Sequence, residues 1–327
     1  MPPGGPKMIK KSFTYFLKIS ITGAFIFMMG IAYTRNHHTI KNFVHNNASL
    51  IKNKIRGRYT EFPFIQSNYK RRHKAEQPMV IVIPSYNNAL WYAQNLKSIF
   101  KQKYSNYRII YIADGCGSPN YDGTAELVEQ YIATHHMEDK VTLIKNYERR
   151  GALYNLYHAI HSCDDDEIII TVDGDDALAH DQVLAALNDF YTDKDIWLTH
   201  GSFIEYPTGA HRWSENIPAH IINSNEFRSF KCASHLRTFK AWLFKEIKEE
   251  DLKYNGEFYT MTWDQAIMFP MCEMAGERQI FLDIVYVYNV ANQINDCKVN
   301  AQLQRDLEKH IRAMPKYSKL NQRPIKS

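Results

Sequence analysis

Apolar residues recur along this chain in short unbroken runs, each closed by a polar turn. Residues 79–83 read Met-Val-Ile-Val-Ile and stop at Pro84-Ser85-Tyr86-Asn87. Residues 108–113 read Arg-Ile-Ile-Tyr-Ile-Ala and stop at Asp114-Gly115. A third run covers 141–145. A fourth covers 167–173 and closes in Asp173-Gly174-Asp175-Asp176. Continuous β-branched runs of this length belong to strands buried on both faces. Helical periodicity separates them. Leu96, Ile99 and Phe100 share the inner side of a helix over 90–101, a second helix is expected over 123–135, and a third opens at Arg149-Arg150-Gly151-Ala152 and runs to about 161. Alternation at this pace predicts β-α-β units and a mostly parallel sheet. The polar turns then gather at the C-terminal edge of the strands, where open α/β sheets bind ligands.

The second half is less regular. A helix is expected from 181, with Leu184, Leu187 and Phe190 inward, then a strand over 196–202 and a hairpin over 203–213 through Pro207-Thr208-Gly209. Thr262-Trp263-Asp264-Gln265 opens an amphipathic helix to about 275. Residues 280–290 read as a returning strand pair, and 301–312 as a polar helix before a basic tail that should fray.

The N-terminal texture is different. Residues 13–33 are apolar except for Lys18, and 21 residues just span a bilayer. We expect an uncleaved membrane anchor over 1–33, the alternatives being a cleaved signal or an amphipathic helix on a membrane surface. Lys7, Lys10 and Lys11 lie on one side of the run and Arg35 and Lys41 on the other, so orientation is left open. Residues 34–77 read as a basic stem, with the run 69–74 a solvated linker. A folded domain is expected over 78–295, split at 176 into two halves, with 296–327 a C-terminal helix and tail.

Charge sharpens this division. The chain is +5 overall, yet residues 78–327 hold 26 basic against 33 acidic side chains. The basic character belongs to the N-terminal tail, which argues against a nucleic-acid surface on the folded part. The five cysteines, Cys116, Cys163, Cys232, Cys272 and Cys297, lack zinc-site spacing.

The chemistry centres on the acids after the fourth strand. Carboxylates crowded at a sheet edge repel one another, so such a cluster usually holds a cation, and carboxylate oxygens suit Mg²⁺ or Mn²⁺. The bland reading is a solvated acidic turn. A P-loop is missing, and Asn120 stands where a third glycine would complete a dinucleotide fingerprint after Gly115-Cys116-Gly117. What remains is a sheet that binds a nucleotide through strand-end side chains and holds its diphosphate with a metal.

Residues 79–191 resemble the nucleotide-binding half of family 2 glycosyltransferases, which have the GT-A fold. The motifs are Val82-Ile83-Pro84-Ser85-Tyr86-Asn87, Ser98-Ile99-Phe100-Lys101-Gln102-Lys103-Tyr104, Ile112-Ala113-Asp114-Gly115, Arg150-Gly151-Ala152 with Asn155, and Val172-Asp173-Gly174-Asp175-Asp176. The resemblance implies an α/β GT-A domain that moves a sugar from a nucleotide-sugar, a UDP-sugar by expectation, to an acceptor hydroxyl on a glycan, protein or lipid, with inversion. It implies that Pro84, Ser85, Tyr86 and Asn87 line the base pocket and that Asp114 accepts a hydrogen bond from base or ribose. Arg150, with Arg149 as competitor, would reach the diphosphate. Asp173 would face ribose and metal, and Asp175 would be the main ligand of Mn²⁺ or Mg²⁺. Asp176, His235, Arg237 and Trp263 are candidate donor or acceptor contacts. Asp264 is the expected catalytic base, with a helix N-cap as the alternative. Two positions depart from the family: Ala113 and Trp263 stand where an acid is common. They keep open a degenerate protein that binds sugar or protein without turnover. A metal-dependent nucleotidyl or phosphoryl transferase is the other alternative.

Overall fold

The computed structural model describes residues 61–212, 215–230 and 233–324. The expected anchor lies outside them, as do Cys232 and, for its side chain, Cys297. Among the described residues no helix is long and apolar enough to cross a membrane. Cys116, Cys163 and Cys272 are free thiols.

The first half follows the hydrophobic pattern closely. Strand β1 (Met79–Ser85), helix α1 (Tyr92–Phe100), β2 (Tyr107–Ala113), α2 (Thr124–Thr134), β3 (Val141–Lys145), α3 (Ala152–His161) and β4 (Ile168–Thr171) alternate in chain order. β1 pairs in parallel with both β2 and β4, and β2 with β3. Side chains alternate across the sheet with period two. Val80, Val82, Ile110, Ile112 and Ile169 therefore pack with Leu153, Leu156 and Ile160 of α3 on one face. Ile81, Ile83, Ile109, Tyr111 and Ile170 pack with Leu96, Ile99 and Val128 on the other. Burial on both faces is why these strands carry no polar alternation.

The second half completes the sheet. It contributes β5 (Ala177–Leu178), α4 (Val183–Asp193), β6 (Leu198–Tyr206), β7 (His211–Arg212), α5 (Ala219–Ser224), β8 (Arg237–Lys240), α6 (Ala241–Lys245) and the hairpin β9 (Lys253–Tyr254) and β10 (Glu257–Phe258). Helix α7 (Trp263–Ala275), β11 (Gln279–Asn289), α8 (Asp296–Val299) and α9 (Ala301–Ala313) follow. The strand order is β3-β2-β1-β4-β8-β6-β11-β5, with β7 on β6. The expected hairpin through residues 207–209 is the β6–β7 pair.

One strand had no expectation in the sequence, and two expectations are corrected. The polar stretch Arg237-Thr238-Phe239-Lys240 carries no apolar run, yet it forms β8 in the middle of the sheet, antiparallel to both β4 and β6. Its polar side chain Thr238 is satisfied internally, against Thr199 at 2.7 Å and Tyr191 at 2.9 Å. Residues 280–290 are one strand rather than a pair. β11 runs parallel to β6 throughout, with a register shift between Leu282 and Tyr286. The C-terminal tail is docked rather than frayed. The Tyr317 N–H donates to Glu273 at 2.8 Å, the Leu320 N–H donates to the Met274 carbonyl at 2.9 Å, and Arg323 pairs with Asp165 and Asp166.

The run 69–74, expected as a solvated linker, also lies against the domain. The Tyr69 hydroxyl donates to Asp189 of α4 at 2.6 Å, and the backbone N–H groups of Arg72 and His73 donate to the same carboxylate at 2.7 and 3.0 Å. Further upstream, the Ile65 N–H donates to the Ala179 carbonyl at 2.7 Å. The Phe62 ring sits 5.9 Å from Trp91 and 4.7 Å from Tyr206.

Candidate active site

Parallel strands put their C-terminal ends at one edge, and the strand order reverses between β1 and β4. A crevice opens at such a reversal. A cavity of about 680 Å³ lies there, within the range of small-ligand sites. β8 runs the other way, so its first residue, Arg237, sits at the same edge opposite Thr171. The antiparallel insertion thereby delivers His235 and Arg237 to the cavity. The sequence carried no periodic signal for that placement.

Of the residues singled out from sequence, Pro84, Ser85, Tyr86, Asp114, Arg150, Asp173, Asp175, His235, Arg237, Trp263 and Asp264 line the cavity. Asn87 and Asp176 do not. Asn87 adopts a left-handed φ of 52° and holds the neighbouring loop, donating to the Asn120 carbonyl at 3.2 Å and accepting from the Asp122 N–H at 3.2 Å. Asp176 is buried behind the acidic turn. Its two oxygens accept from the Tyr286 hydroxyl at 2.8 Å and the Asn289 N–H at 2.7 Å, which tie the turn to β11.

At the β2 end, Asp114 is only 3% exposed, and its carboxylate organises a loop. It accepts from the backbone N–H of Arg150 at 3.0 Å, of Gly151 at 2.8 Å and from the Asn146 amide at 3.1 Å. Gly151 reaches that position with φ +88°, a conformation that L side chains rarely adopt. Arg149, the competitor of Arg150, stacks its guanidinium 4.0 Å from the centroid of the Tyr86 ring. Arg150 turns outward to Glu148 at 3.0 Å and lies 5.6 Å from the Tyr154 ring.

At the β4 end, Gly174 packs so closely that an added Cβ would lie 2.5 Å from Ser85 Oγ and 2.6 Å from Ser85 Cβ. Close approach to β1, rather than an unusual backbone angle, is what this position demands. Among the described residues, Asp173, Asp176 and His235 each bring one ligand-type atom within 4.8 Å of the others; Asp175, the expected main ligand, is not in that group and lies beside it. Burial pushes the Asp175 carboxyl above its ordinary range, although Asn292 donates to it at 2.7 Å. Burial, and then the charges of Asp175 and Asp173, push Asp176 well up. Carboxylates disfavoured in this way are relieved by a cation. Burial and the adjacent Arg237 hold His235 well below its usual value, so its ring is neutral. Its Nε2 accepts from Arg237 at 3.1 Å, which places the ring proton on the buried Nδ1, an atom with no hydrogen-bond partner among the described residues. The hard carboxylate oxygens of this turn fit a divalent cation.

Across the cavity, Asp264 is the second residue of α7 and its side chain is 32% exposed. Thr262, with φ 54°, occupies the cap position. Asp264 therefore does not act as the N-cap. Arg237 donates to Asp264 Oδ2 at 3.2 Å and lies 5.2 Å from the Trp263 ring, which is itself 9% exposed. Arg237 thus links His235, which lies beside the acidic turn, to Asp264 at the start of α7.

The family model for glycosyl transferase family 2 matches residues 80–252, more than half of the chain. The chain belongs to glycosyl transferase family 2. It is 24% identical over 221 residues to the glycosyltransferase GlyG of Streptococcus pneumoniae serotype 4, covering 64% of this chain and 69% of that protein. To EpsE of Bacillus subtilis (strain 168) it is 30% identical over 96 residues, which spans 29% of this chain and only 32% of that relative. Among solved structures, TarS 1–349 of S. aureus aligns with a TM-score of 0.48 at 14% identity, over 65% of this chain and 60% of that one. The mannosyltransferase PcManGT of Pyrobaculum calidifontis, in complex with GDP-Man and Mn²⁺, aligns with a TM-score of 0.44 at 20% identity, over 77% and 67%. The family match runs from β1 to the residue before β9. Asp264 and Asn292 fall beyond it.

Proposed function

We propose that this family 2 chain transfers a sugar from a nucleotide-sugar, a UDP-sugar, to an acceptor hydroxyl with inversion. The observation that carries the reading is the meeting of the acidic turn and Asp264 in one cavity, from positions far apart in sequence. Tyr86, Arg149 and Asp114 frame the nucleotide end. Asp173 and Asp175 would hold Mn²⁺ or Mg²⁺, with Asp176 and His235 adjoining. Bound there, the cation neutralises charge on the leaving diphosphate. Asp264, oriented by Arg237, takes the proton of the acceptor hydroxyl. The acceptor oxygen bonds to the anomeric carbon as the bond from that carbon to the diphosphate oxygen breaks on the opposite face. General-base assistance of this kind is worth about 10²–10⁴ in rate.

The test uses the full chain in detergent with Mn²⁺, a panel of nucleotide-sugars and candidate acceptors, following nucleoside diphosphate release. Release from one donor is expected, with at least a 100-fold loss, roughly, in Asp175→Asn and in Asp264→Asn. Asp264→Asn should still bind the nucleotide. Failure of every donor, together with no metal-dependent nucleotide binding by calorimetry, would sink the reading.

The same proposal places residues 13–33 in a membrane. Its support is the apolar run alone. Alkaline extraction of membranes should leave the full chain in the pellet. Release into the supernatant would argue against an anchor.

A further inference from the structure

Beyond the acidic turn, the loop that follows β11 reaches back across the cavity. Asn292 is 5% exposed, and its amide nitrogen donates to Asp175 Oδ2 at 2.7 Å, from 117 positions further along the chain. The same nitrogen lies 3.3 Å from Asn88 Oδ1. Asn88 in turn donates to Ser85 Oγ at 3.1 Å, which accepts from the Tyr111 hydroxyl at 2.8 Å. Asp175 is thus held by a polar chain anchored in β1 and β2. The other end of Asn292 is fixed as well. Its backbone carbonyl accepts from Lys298 Nζ at 2.8 Å, and Lys298 also donates to the Val290 carbonyl at 2.7 Å. The loop is therefore stapled to itself, and Asn292 has little freedom to swing away.

We propose that Asn292 is a positioning residue that aims Asp175 at the divalent cation, an inference that rests on the metal-dependent reading above. An amide donating to one carboxylate oxygen leaves the other available to a cation and fixes its direction. Ligating carboxylates held by such outer partners typically lose about 10–100-fold in metal affinity or activity when the partner is removed. An asparagine suits this task because it donates without adding charge. An aspartate there would repel Asp175, and a lysine would compete with the cation.

The experiment titrates Mn²⁺ into the full chain with UDP present, by calorimetry and by the electron spin resonance of free Mn²⁺. It compares wild type, Asn292→Leu and Gln293→Ala. Leucine keeps the branching of asparagine at Cγ, in a larger side chain, and removes its donor. Gln293 sits in the same loop, but its amide donates to the Ala291 carbonyl at 3.0 Å instead. Asn292→Leu should weaken Mn²⁺ by about tenfold or more, and saturating Mn²⁺ should restore most of the turnover. Gln293→Ala should leave Mn²⁺ affinity at the wild-type value. Equal Mn²⁺ affinity in wild type and Asn292→Leu overturns the inference and leaves the proposed function standing. An equal loss in both variants also overturns it, because loop disturbance alone then explains the effect. If wild type itself shows no Mn²⁺-linked UDP binding, the metal reading fails and this inference falls with it.

Discussion

Gly174 shows how a single residue can carry a site. The acidic motif reads the same in sequence whether its glycine serves a turn angle or a close contact. The contact with Ser85 decides, and Gly174→Ala should force β1 and the acidic turn apart. We expect loss of metal-dependent nucleotide binding in a protein whose circular dichroism is unchanged. Normal binding in the variant would show that the turn can yield. His200 makes a second residue-scale prediction. It lies on β6, 1% exposed, and burial lowers its pKa to about 4. The folded state therefore binds the proton less readily than the unfolded chain does. Stability from this group is complete above the unfolded value near 6.5 and is lost as pH falls toward 4, by roughly 3 kcal/mol in all. Denaturant midpoints at pH 7 and pH 5 should differ less in His200→Phe than in wild type. An equal difference would remove His200 from the account.

At the scale of elements, the most informative contact is between residues 69–74 and α4. Three donors converge on Asp189, whose side chain is fully buried. Burial alone would raise its pKa, but the Tyr69 hydroxyl and the two backbone N–H groups outweigh that and lower it. Hydrogen bonds to a charged group are worth about 1.5–3 kcal/mol each. Asp189→Asn should release the strap, and trypsin should then cut at Arg71 and Arg72 many times faster than in wild type. Unchanged cleavage would show that Phe62 and Ile65 hold the segment by themselves. β8 gives the complementary case. A strand of mixed polar residues sits at the centre of the sheet because Thr199, Tyr191 and Thr238 satisfy one another there. Cross-strand pairing can rescue a sequence whose own pattern does not specify a strand.

On the scale of the molecule, the far half is clamped by a buried ion pair. Arg228 and Glu273, with side chains 5% and 0% exposed, pair at 2.6 Å. Arg228 also donates to the Ile311 carbonyl of α9 at 2.7 Å, and Glu273 accepts from the Tyr317 N–H at 2.8 Å. The pair thus joins a short turn, α7, α9 and the tail, and α7 carries Asp264. Removing one partner should cost about 3–5 kcal/mol, while replacing both with apolar residues should cost much less. Thermal midpoints of Arg228→Met, Glu273→Leu and the double variant test this. A double variant as unstable as the sum of the singles would mean that the tail contacts, not the ion pair, hold this half.

By itself the sequence determined the first half of the fold, from β1 to β4. Strands buried on both faces leave an unmistakable apolar run, and polar residues that break such a run at its C-terminal end are necessarily at the ligand edge. Pro84, Tyr86, Asp114, Asp173 and Asp175 were legible for that reason. Asn87 was placed at the right turn, but its side chain serves the loop. Tertiary structure alone decided the rest. The antiparallel β8 brings His235 and Arg237 beside the acids, β11 returns Asn292 to Asp175, and the start of α7 sets Asp264 against Arg237. These meetings depend on strand direction and long-range packing, which have no local hydrophobic period. The docked tail and strap were missed for a related reason: their polar, irregular residues are satisfied only by partners far away in the chain.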